Sequence, residues 1–456
     1  MPAPRRLLGA LVGSTLLGTV LVGCTSDDPS APDPTPAATS DTPAPEGPAE
    51  IEVAVYGDAL RLRTYQRMAD AFNSGNPDVV VTLERHEDAI EAVADARLSL
   101  QLGIGSDVLL VDQRYLAELV ESGGLEPVDQ LLEARGLQFG DDYQRVALTS
   151  MSANNRLQCM PVEMSPRVVY LNTKLVPRQQ LAAVDVVVPN AVQTSWSWFD
   201  FVTTARTVAG IDQLGPIKGA YVPTDVGTIT AFVRSGDGDI VDDVFDPSSV
   251  TLAADSALEA VDELVTLARD PAVSLTKTDI ATRDPVDWFT AGELGMFIGT
   301  RDHLPALREE DGVRFDVAPL PSMGRGRSIS DVNGFCLNGA SEQTSAAADF
   351  MAFAAGAEAA EIMASSGAMV PARLDALAGE VFTQPDEDPR NSQVFATSQR
   401  RSEPMPYDLA WPQVADLVED AFGRFFGGVG FDPAEELEAR LVRLDEQSET
   451  IFDSAD

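Results

Sequence analysis

The sequence has few of the residues on which most catalytic and metal sites depend. Its 456 residues include two histidines and three cysteines. The histidines, His86 and His303, are far apart, and no His-x-x-x-His, Cys-x-x-Cys or Gly-x-Ser-x-Gly pattern occurs. Local patterns that supply zinc ligands or an activated serine are therefore missing, and we predict a protein that is not an enzyme and has no cofactor or metal. A secreted glycoside hydrolase remains an alternative, because any two carboxylates can meet in space.

Positive charge is also scarce. The chain has 32 Lys and Arg against 72 Asp and Glu, which gives a formal net charge of −40. Binding of phosphates or of anionic lipid needs clusters of Lys and Arg, so the balance argues against nucleic-acid partners and against peripheral docking on a membrane. The length exceeds that of one typical core and predicts two domains.

The N-terminus carries the one long apolar run. Arg5 and Arg6 precede Leu7–Val22, which is too short for a stable membrane span and predicts an export signal over residues 1–23. Its end, Leu21-Val22-Gly23-Cys24, resembles the bacterial lipobox, in which the cysteine becomes the lipidated first residue. We expect Cys24 to be an anchor at the extracellular face of the cell membrane; the alternative is an incidental cysteine in a removed signal. Residues 24–50, rich in Pro, Ala, Ser and Thr, predict a disordered tether.

The folded part begins with strands that alternate with helices. Apolar runs at 51–56, 79–83 and 107–111 predict strands, and apolar residues at helical spacing lie between them. This order indicates a parallel sheet with helices on both faces. Ligands of such sheets bind beyond the carboxyl ends of the strands, where carboxylates and arginines can bind hydroxyl groups. The polar residues at these ends are Asp58, Asp112, Gln113 and Arg114; capping of the next helix is an equal alternative for Asp112 and Gln113.

Two extended segments suggest a connection between domains. Pro161 and Pro166 exclude a helix from Cys159–Thr173, and a second short apolar run occupies Asn333–Leu337. If the two runs lie side by side as hinge strands between two lobes, Cys159 and Cys336 come within reach of a disulfide. An even number of remaining cysteines in an oxidising compartment favours that bond. Two small buried apolar residues are the alternative.

Other candidates have simpler interpretations. The acidic run from Asp237 to Asp246 lacks the spacing of a calcium loop and predicts a solvated turn. Core packing is the preferred role for Trp196 and Trp198, whereas Trp288 remains a candidate for covering the apolar face of a sugar ring.

A series of short motifs, taken together, resembles the extracellular solute-binding proteins of ABC importers, in the carbohydrate-type family that includes maltose-binding protein. The resemblance spans residues 51–452. Besides the lipobox, the motifs are Gly105-Ser106-Asp107-Val108, Tyr170-Leu171-Asn172-Thr173, the stretch from Ser195 to Phe201, the stretch from Phe289 to Met296, Ala318-Pro319-Leu320-Pro321, Asn333-Gly334-Phe335-Cys336 and Val370-Pro371-Ala372-Arg373.

The resemblance implies an α/β, two-lobe periplasmic-binding-protein-like fold of type II, in which each lobe has a mostly parallel sheet flanked by helices. We expect lobe 1 at residues 51–160 and 337–370, and lobe 2 at 161–336 and 371–456. The implied function is capture of a sugar or oligosaccharide by lobe closure and its delivery, by a monomer, to an ABC transporter permease. Carried over by position, the ligand-binding residues are Asp58, Asp112, Gln113, Arg114, Glu163, Ser165, Asp225, Trp288, Arg301, Asn333, Arg373, Tyr407 and Trp411.

Two positions depart from the family pattern. Leu171 replaces the middle aromatic residue of the usual Tyr-Tyr-Asn-type signature, and Arg301 stands where sugar binders commonly have an aromatic residue. Arg301 can bind hydroxyls or an acidic group, or pair with a neighbouring carboxylate. An acidic or polyol solute in the same fold is therefore the second hypothesis, favoured if Arg301 and Arg373 both face the cleft.

Overall fold

The computed structural model describes residues 47–190, 194–211, 217–428 and 430–455. The predicted signal peptide, Cys24 and most of the tether lie outside the described residues.

The strands are β1 (Ala49–Tyr56), β2 (Val79–His86), β3 (Val108–Asp112), β4 (Leu125–Glu126), β5 (Ser152–Ala153), β6 (Arg156–Leu157), β7 (Cys159–Pro166), β8 (Val168–Asn172), β9 (Lys218–Tyr221), β10 (Leu294–Gly299), β11 (Phe315–Ala318), β12 (Ser328–Asn338) and β13 (Ser402–Glu403). The helices are α1 (Ala59–Gly75), α2 (Ala89–Leu102), α3 (Leu116–Glu121), α4 (Asp129–Glu133), α5 (Phe139–Asp142), α6 (Arg145–Ser150), α7 (Arg178–Ala182), α8 (Trp198–Ala209), α9 (Val226–Ser235), α10 (Asp255–Ala268), α11 (Lys277–Thr282), α12 (Pro285–Thr290), α13 (Leu304–Glu309), α14 (Thr344–Ala354), α15 (Ala357–Ser365), α16 (Glu380–Thr383), α17 (Gln393–Gln399), α18 (Trp411–Gly427) and α19 (Pro433–Ala455).

Local sequence explains where the major helices begin. Asp58 and Asp88 accept hydrogen bonds from the first backbone N–H groups of α1 and α2. Ser197 and Asp200 form a reciprocal capping box at the start of α8. Gly103 ends α2 at φ 66°, a left-handed conformation that glycine adopts without steric cost.

The first lobe is built on a sheet with the order β13-β12-β3-β1-β2. As predicted, β1 pairs in parallel with β2 and β3. Strand β12, which brings the chain back to the first lobe, pairs antiparallel with β3 on one side and with β7 on the other. The sheet is therefore mixed at the point where the chain leaves the lobe and comes back.

The second lobe is built on a four-stranded sheet with the order β11-β8-β10-β9. Only β10 and β9 are parallel, because β8 runs antiparallel to both of its neighbours. The expectation of a mostly parallel sheet in each lobe is corrected here. The short strand β8 follows directly from the hinge strand, so its direction is set by the crossing rather than by a strand–helix–strand unit.

Alternation along β8 gives the second lobe a core on each face of its sheet. Val169 and Leu171 pack with helices α8, α9, α10 and α18, whereas Val168 and Tyr170 pack on the opposite face against Phe297 and Phe315. Trp196 and Trp198 belong to the first of these cores, as predicted. The first lobe has its own apolar core around β1, β3 and the helices α1 and α14. The residue boundaries proposed for the lobes stay a prediction.

Three chain segments run side by side between the lobes. In β7 and β12, Cys159 lies opposite Cys336, and a disulfide joins them. The predicted bond between the two extended segments is thus confirmed. A third segment lies beside β7, where Met164 N–H donates to the Val370 carbonyl and Ala372 N–H to that of Val162. The extended conformation predicted from the two prolines brings these strands to the boundary of the two lobes.

Candidate functional site

A cavity of about 340 Å³ lies at the boundary of the lobes, beyond the carboxyl end of β3. Residues of both lobes line it. They are Asp112, Gln113, Arg114, Arg167, Asp225, Val226, Gly227, Asp331, Met405, Trp411 and Glu419. Four of these carry carboxylates and two carry guanidinium groups, so the wall is polar and acidic.

Arg167 organises one side of the cavity. Its Nε and Nη2 donate to Oδ1 of Asp225 at 2.8 and 2.5 Å, and its Nη1 donates to Oδ1 of Asp331 at 3.3 Å. Burial opposes the charge of Arg167, but Asp225 and Asp331 together raise its pKa. The guanidinium therefore stays charged and holds both carboxylates in place.

The turn at the start of α9 is shaped around this arginine. Asp225 caps the helix by accepting from the backbone N–H and the hydroxyl of Thr228. At Gly227, a Cβ atom would lie 2.3 Å from the guanidinium carbon of Arg167, so a larger residue would displace Arg167 from its two carboxylates. Because the oxygens of Asp225 are taken by these partners, its role is to position Arg167 and the helix terminus.

On the first-lobe side, the turn after β3 carries three polar side chains. The Asp112 carboxylate caps the turn by accepting from Arg114 N–H at 2.8 Å, which confirms the predicted capping role. It also lines the cavity, and its contact with a ligand stays a prediction. Burial, followed by repulsion from Asp331, raises the pKa of Asp112 to about 7. Gln113 donates to the Ser330 carbonyl. Among the described residues, Gln113 Oε1 and Arg114 Nε are buried without any hydrogen-bond partner.

Two further cavities share residues with the first. One of about 540 Å³ includes Gln113 and Met405, and one of about 310 Å³ includes Arg167 and Asp225. The smaller one also contains Tyr221, Asp284 and His303. The three cavities therefore follow one another along the boundary and form an extended groove.

The larger of these neighbours is edged by a tight hairpin and two aromatic side chains. Asn154 and Asn155 join β5 to β6 with φ values of 53° and 58°, the conformation of a two-residue hairpin turn that asparagine tolerates. Across from it, Phe245 is 63% exposed, and Tyr407 donates its backbone N–H to the adjacent carbonyl of Val244. Both aromatic residues line the cavity of about 540 Å³.

Phe245 belongs to the acidic run that the sequence indicated as a solvated turn. The carboxylates of Asp242 and Asp243 accept backbone N–H groups of the same turn, including that of Phe245 at 2.8 Å. The acidic residues shape the turn that presents the ring, and sequence patterns gave no signal for its position beside the groove.

The structure brings only some of the predicted ligand residues to the groove. Those that line it are Asp112, Gln113, Arg114, Asp225, Tyr407 and Trp411. Those that line none of its three cavities are Asp58, Glu163, Ser165, Trp288, Arg301, Asn333 and Arg373. Sequence analysis missed Arg167, Asp331, Glu419 and Phe245.

Glu163 and Asn333 lie in a hydrogen-bond network between the hinge strands. Glu163 is fully buried and accepts two hydrogen bonds from Arg61 Nη1, at 2.8 and 2.7 Å. Asn333 donates to Glu163 and accepts from the Tyr56 hydroxyl at 2.6 Å. Glu163 raises the pKa of Arg61 despite the opposing effect of burial. These groups satisfy one another, so their role in this structure is to stabilise the crossing.

The remaining predicted residues have partners elsewhere. Arg301 is 1% exposed, donates to the carbonyls of Gly367 and Phe382, and lies over the Phe382 ring at 3.9 Å. Burial lowers the pKa of Arg301 to about 9.

Arg373 binds Asp375, and the ring of Trp288 lies under Arg283. Asp58 caps α1, and Ser165 pairs with Asp331 in the strand ladder.

A family model described as bacterial extracellular solute-binding protein matches residues 67–390, more than half of the 456-residue chain. The chain belongs to this family. The family consists of binding proteins rather than enzymes, which is what the missing catalytic patterns predicted. Among curated protein sequences, none matches the chain.

Solved structures of solute-binding proteins share the fold. An ABC substrate-binding protein from Listeria monocytogenes, Lmo0181, in complex with cycloalternan, has a TM-score of 0.74 at 18% identity and covers 88% of this chain and 98% of its own. The GacH receptor of Streptomyces glaucescens has a TM-score of 0.72 at 16% identity, with coverages of 90% and 100%. The sugar-binding protein MalE of Xanthomonas citri has a TM-score of 0.74 at 15% identity, with coverages of 89% and 98%. At these identities the similarity establishes the two-lobe fold.

The described part of this solute-binding protein contains no helix that combines the length and apolarity of a membrane span. The family is extracellular, and the export signal at residues 1–23 stays a prediction.

Proposed function

We propose that this protein captures an oligosaccharide in the groove between its lobes and delivers it to the permease of an ABC importer. The observation that carries the proposal is the polar cavity of about 340 Å³ lined by both lobes, with Gln113 Oε1 and Arg114 Nε buried and unpaired among the described residues. Such atoms cost free energy unless a ligand satisfies them. A ligand that contacts both lobes stabilises the closed form.

The groove fits a neutral polyhydroxyl chain. Asp112 and Asp331 offer acceptors for hydroxyl groups, and Arg114 offers a donor. Phe245 and Tyr407, which line the cavity of about 540 Å³, provide apolar faces suited to the C–H face of a pyranose. The groove extends over three adjoining cavities, which favours a ligand of several sugar units over a monosaccharide. Cycloalternan in the Listeria monocytogenes protein and acarbose in the GacH receptor are ligands of the same kind.

Charge argues against an acidic solute. The two arginines that would have favoured it, Arg301 and Arg373, are paired away from the groove. Asp112, Asp225, Asp331 and Glu419 outnumber the cations that line the central cavity. An anion placed there would be repelled, whereas hydroxyl groups bind to carboxylates as donors.

Anchoring by lipid on Cys24 is part of the proposal. The Leu-Val-Gly-Cys ending of the apolar run supports it, and the low content of lysine and arginine gives no other means of attachment to anionic lipid. Replacement of Cys24 by Ala should release the protein from the membrane fraction into the medium. Retention of the variant in that fraction would contradict the anchor.

Thermal denaturation in the presence of a saccharide panel tests the binding function. A ligand that binds the folded state raises the melting temperature by mass action. We expect linear or cyclic glucosides of several units to do so, and Gln113→Ala to weaken their binding. Gln66→Ala is the matched control, since Gln66 lies on α1 in hydrogen bonds with Asp70 and Arg85. Failure of every saccharide to stabilise the protein, or release of reducing sugar, would overturn the proposal.

A further inference from the structure

A second candidate site lies on the first lobe, between the edge strand β2 and helix α2. Glu84 and His86 are two residues apart on β2 and therefore share one face of the strand. Asp95 lies on α2, one turn after the buried Ala92. One ligand atom from each of Glu84, His86 and Asp95 can be chosen so that all three lie within 4.8 Å of one another. Within the described ranges, this is the one group of at least three such side chains.

A second observation, the buried and unpartnered ring nitrogen of His86, also indicates a ligand at this position. The residue is only 8% exposed, and its Nε2 is buried without a hydrogen-bond partner among the described residues. A buried ring nitrogen without a partner costs free energy. The other histidine, His303, lies edge-on against Tyr170 and Phe297 in the second lobe, and among the described residues it belongs to no such cluster.

A serine hydroxyl lies near each carboxylate, and the one at Glu84 makes a short hydrogen bond. Ser106 is 1% exposed and donates from Oγ to Glu84 Oε2 at 2.6 Å. Ser99 Oγ lies 3.5 Å from Asp95 Oδ2. In metal sites, a hydrogen bond such as that from Ser106 orients the ligating carboxylate.

We propose that Glu84, His86 and Asp95 bind a zinc ion that ties β2 to α2. One imidazole nitrogen and two carboxylate oxygens suit Zn²⁺, which takes such ligands at about 2.0–2.2 Å and accepts water as a fourth. Ligand atoms in that geometry lie roughly 3.3 Å apart, so side-chain rotations that shorten the present separations by up to roughly 1.5 Å complete the site. Because β2 forms the edge of the sheet, the ion stabilises a strand that has a partner on one side only.

The site is separate from the proposed saccharide groove in its residues and in its chemistry. None of its three side chains lines any of the cavities of the groove. The cysteines of the folded body, Cys159 and Cys336, are joined in the disulfide and do not compete for the ion as thiolates. Zinc binding and saccharide binding can therefore be tested independently.

Isothermal titration of the chelator-treated protein with Zn²⁺ tests the proposal, with Co²⁺ absorption as a second readout of coordination. We expect one ion per chain and a rise in melting temperature. His86→Asn should abolish binding, Glu84→Gln and Asp95→Asn should each weaken it at least about tenfold, and Ser106→Ala should weaken it about tenfold by releasing Glu84.

Two variants serve as controls. His303→Asn removes the other histidine, and Glu91→Gln removes a carboxylate one turn before Asp95 on the same helix; both should bind Zn²⁺ like the parent protein. Absence of zinc binding by the parent, or unchanged affinity in His86→Asn, would overturn the site. If His86→Asn does not fold, Glu84→Gln and Asp95→Asn decide the question, and unchanged affinity in both would also overturn it.

Discussion

Arg114 and Glu419 form an ion pair at 3.1 Å that joins the turn after β3 in the first lobe to helix α18 in the second. The same Glu419 oxygen accepts the backbone N–H of Val226 at the start of α9. Both partners border the central cavity. Because the contact joins residues of the two lobes, separation of the lobes would break it.

Glu419→Gln should therefore favour opening of the lobes. The ion pair is partly exposed, so its loss should cost about 0.5–1 kcal/mol and weaken ligand binding roughly two- to fivefold. X-ray scattering in the absence of ligand should show a larger radius of gyration for Glu419→Gln than for the parent protein. Glu118→Gln is the control, since Glu118 pairs with Arg97 at 2.8 Å within the first lobe. Equal effects of the two substitutions would show that the contact between lobes has no special role.

Phe245→Ala tests whether the aromatic ring that lines the groove contacts a sugar. If the ring packs on a sugar, its removal should cost about 1 kcal/mol of binding free energy, which is roughly a fivefold loss of affinity. The folded state should keep its stability because the side chain is mostly exposed. Phe199→Ala is the matched control, since Phe199 is 71% exposed and lies outside the groove. A saccharide affinity that Phe245→Ala leaves unchanged would exclude stacking at this position.

Asp112 should make stability depend on pH. Its carboxyl has a pKa of about 7 when folded and near 3.8 when unfolded, so between these values the folded state holds a proton that the unfolded state has released. The free energy of unfolding contributed by this group therefore falls as pH rises from about 4 to about 7, and it is level outside that window. Asp112→Asn should remove this slope and gain stability relative to the parent at pH 8.

Urea denaturation at a series of pH values measures the effect. Burial also raises the pKa of Asp445, to about 6. The free energy of unfolding contributed by this residue therefore also falls as pH rises, between about pH 4 and pH 6. Asp445→Asn is the comparison that separates the two carboxyls, because the pH range of Asp112 extends to about 7 whereas that of Asp445 ends near 6. A stability difference between Asp112→Asn and the parent that is constant across pH would refute the assignment.

Glu163→Gln distinguishes the hinge role of Glu163 from the ligand contact predicted by sequence. Removal of the charge leaves Arg61 largely buried and unpaired, which should lower the free energy of unfolding by about 3 kcal/mol. The double variant Arg61→Met/Glu163→Gln should recover part of that loss. Chemical denaturation measures stability, and calorimetry measures affinity on the folded fraction. Lost affinity at unchanged stability would support the ligand contact instead.

Sequence patterns predicted the strands and helices that are determined by residues close together in the chain. Alternating strands and helices gave β1 to β3, and the prolines of the crossing segment gave the extended strand that leads into the second lobe. The polar residues that directly follow β3 line the central cavity, because the end of a strand determines where the next side chains lie, and their contact with a ligand stays a prediction.

The residues that were missed depend on contacts between distant parts of the chain. Arg167 meets Asp225 and Asp331, which are 58 and 164 residues away, and no spacing rule connects them. Arg301 follows β10 as expected, yet its side chain turns toward the carbonyls of Gly367 and Phe382, which nothing near it in sequence indicates. The direction of a side chain at a strand end is decided by its tertiary partners.

The covalent bond between Cys159 and Cys336 restricts how the lobes can move. It joins the two crossing strands at their first-lobe ends, whereas their other ends, near Pro166 and Ser328, are joined by backbone hydrogen bonds. Sliding of one strand past the other is thereby excluded, and bending has to occur on the second-lobe side of the bond. An oxidised protein outside the cell should consequently open by rotation about a single fixed axis, with little translational shear.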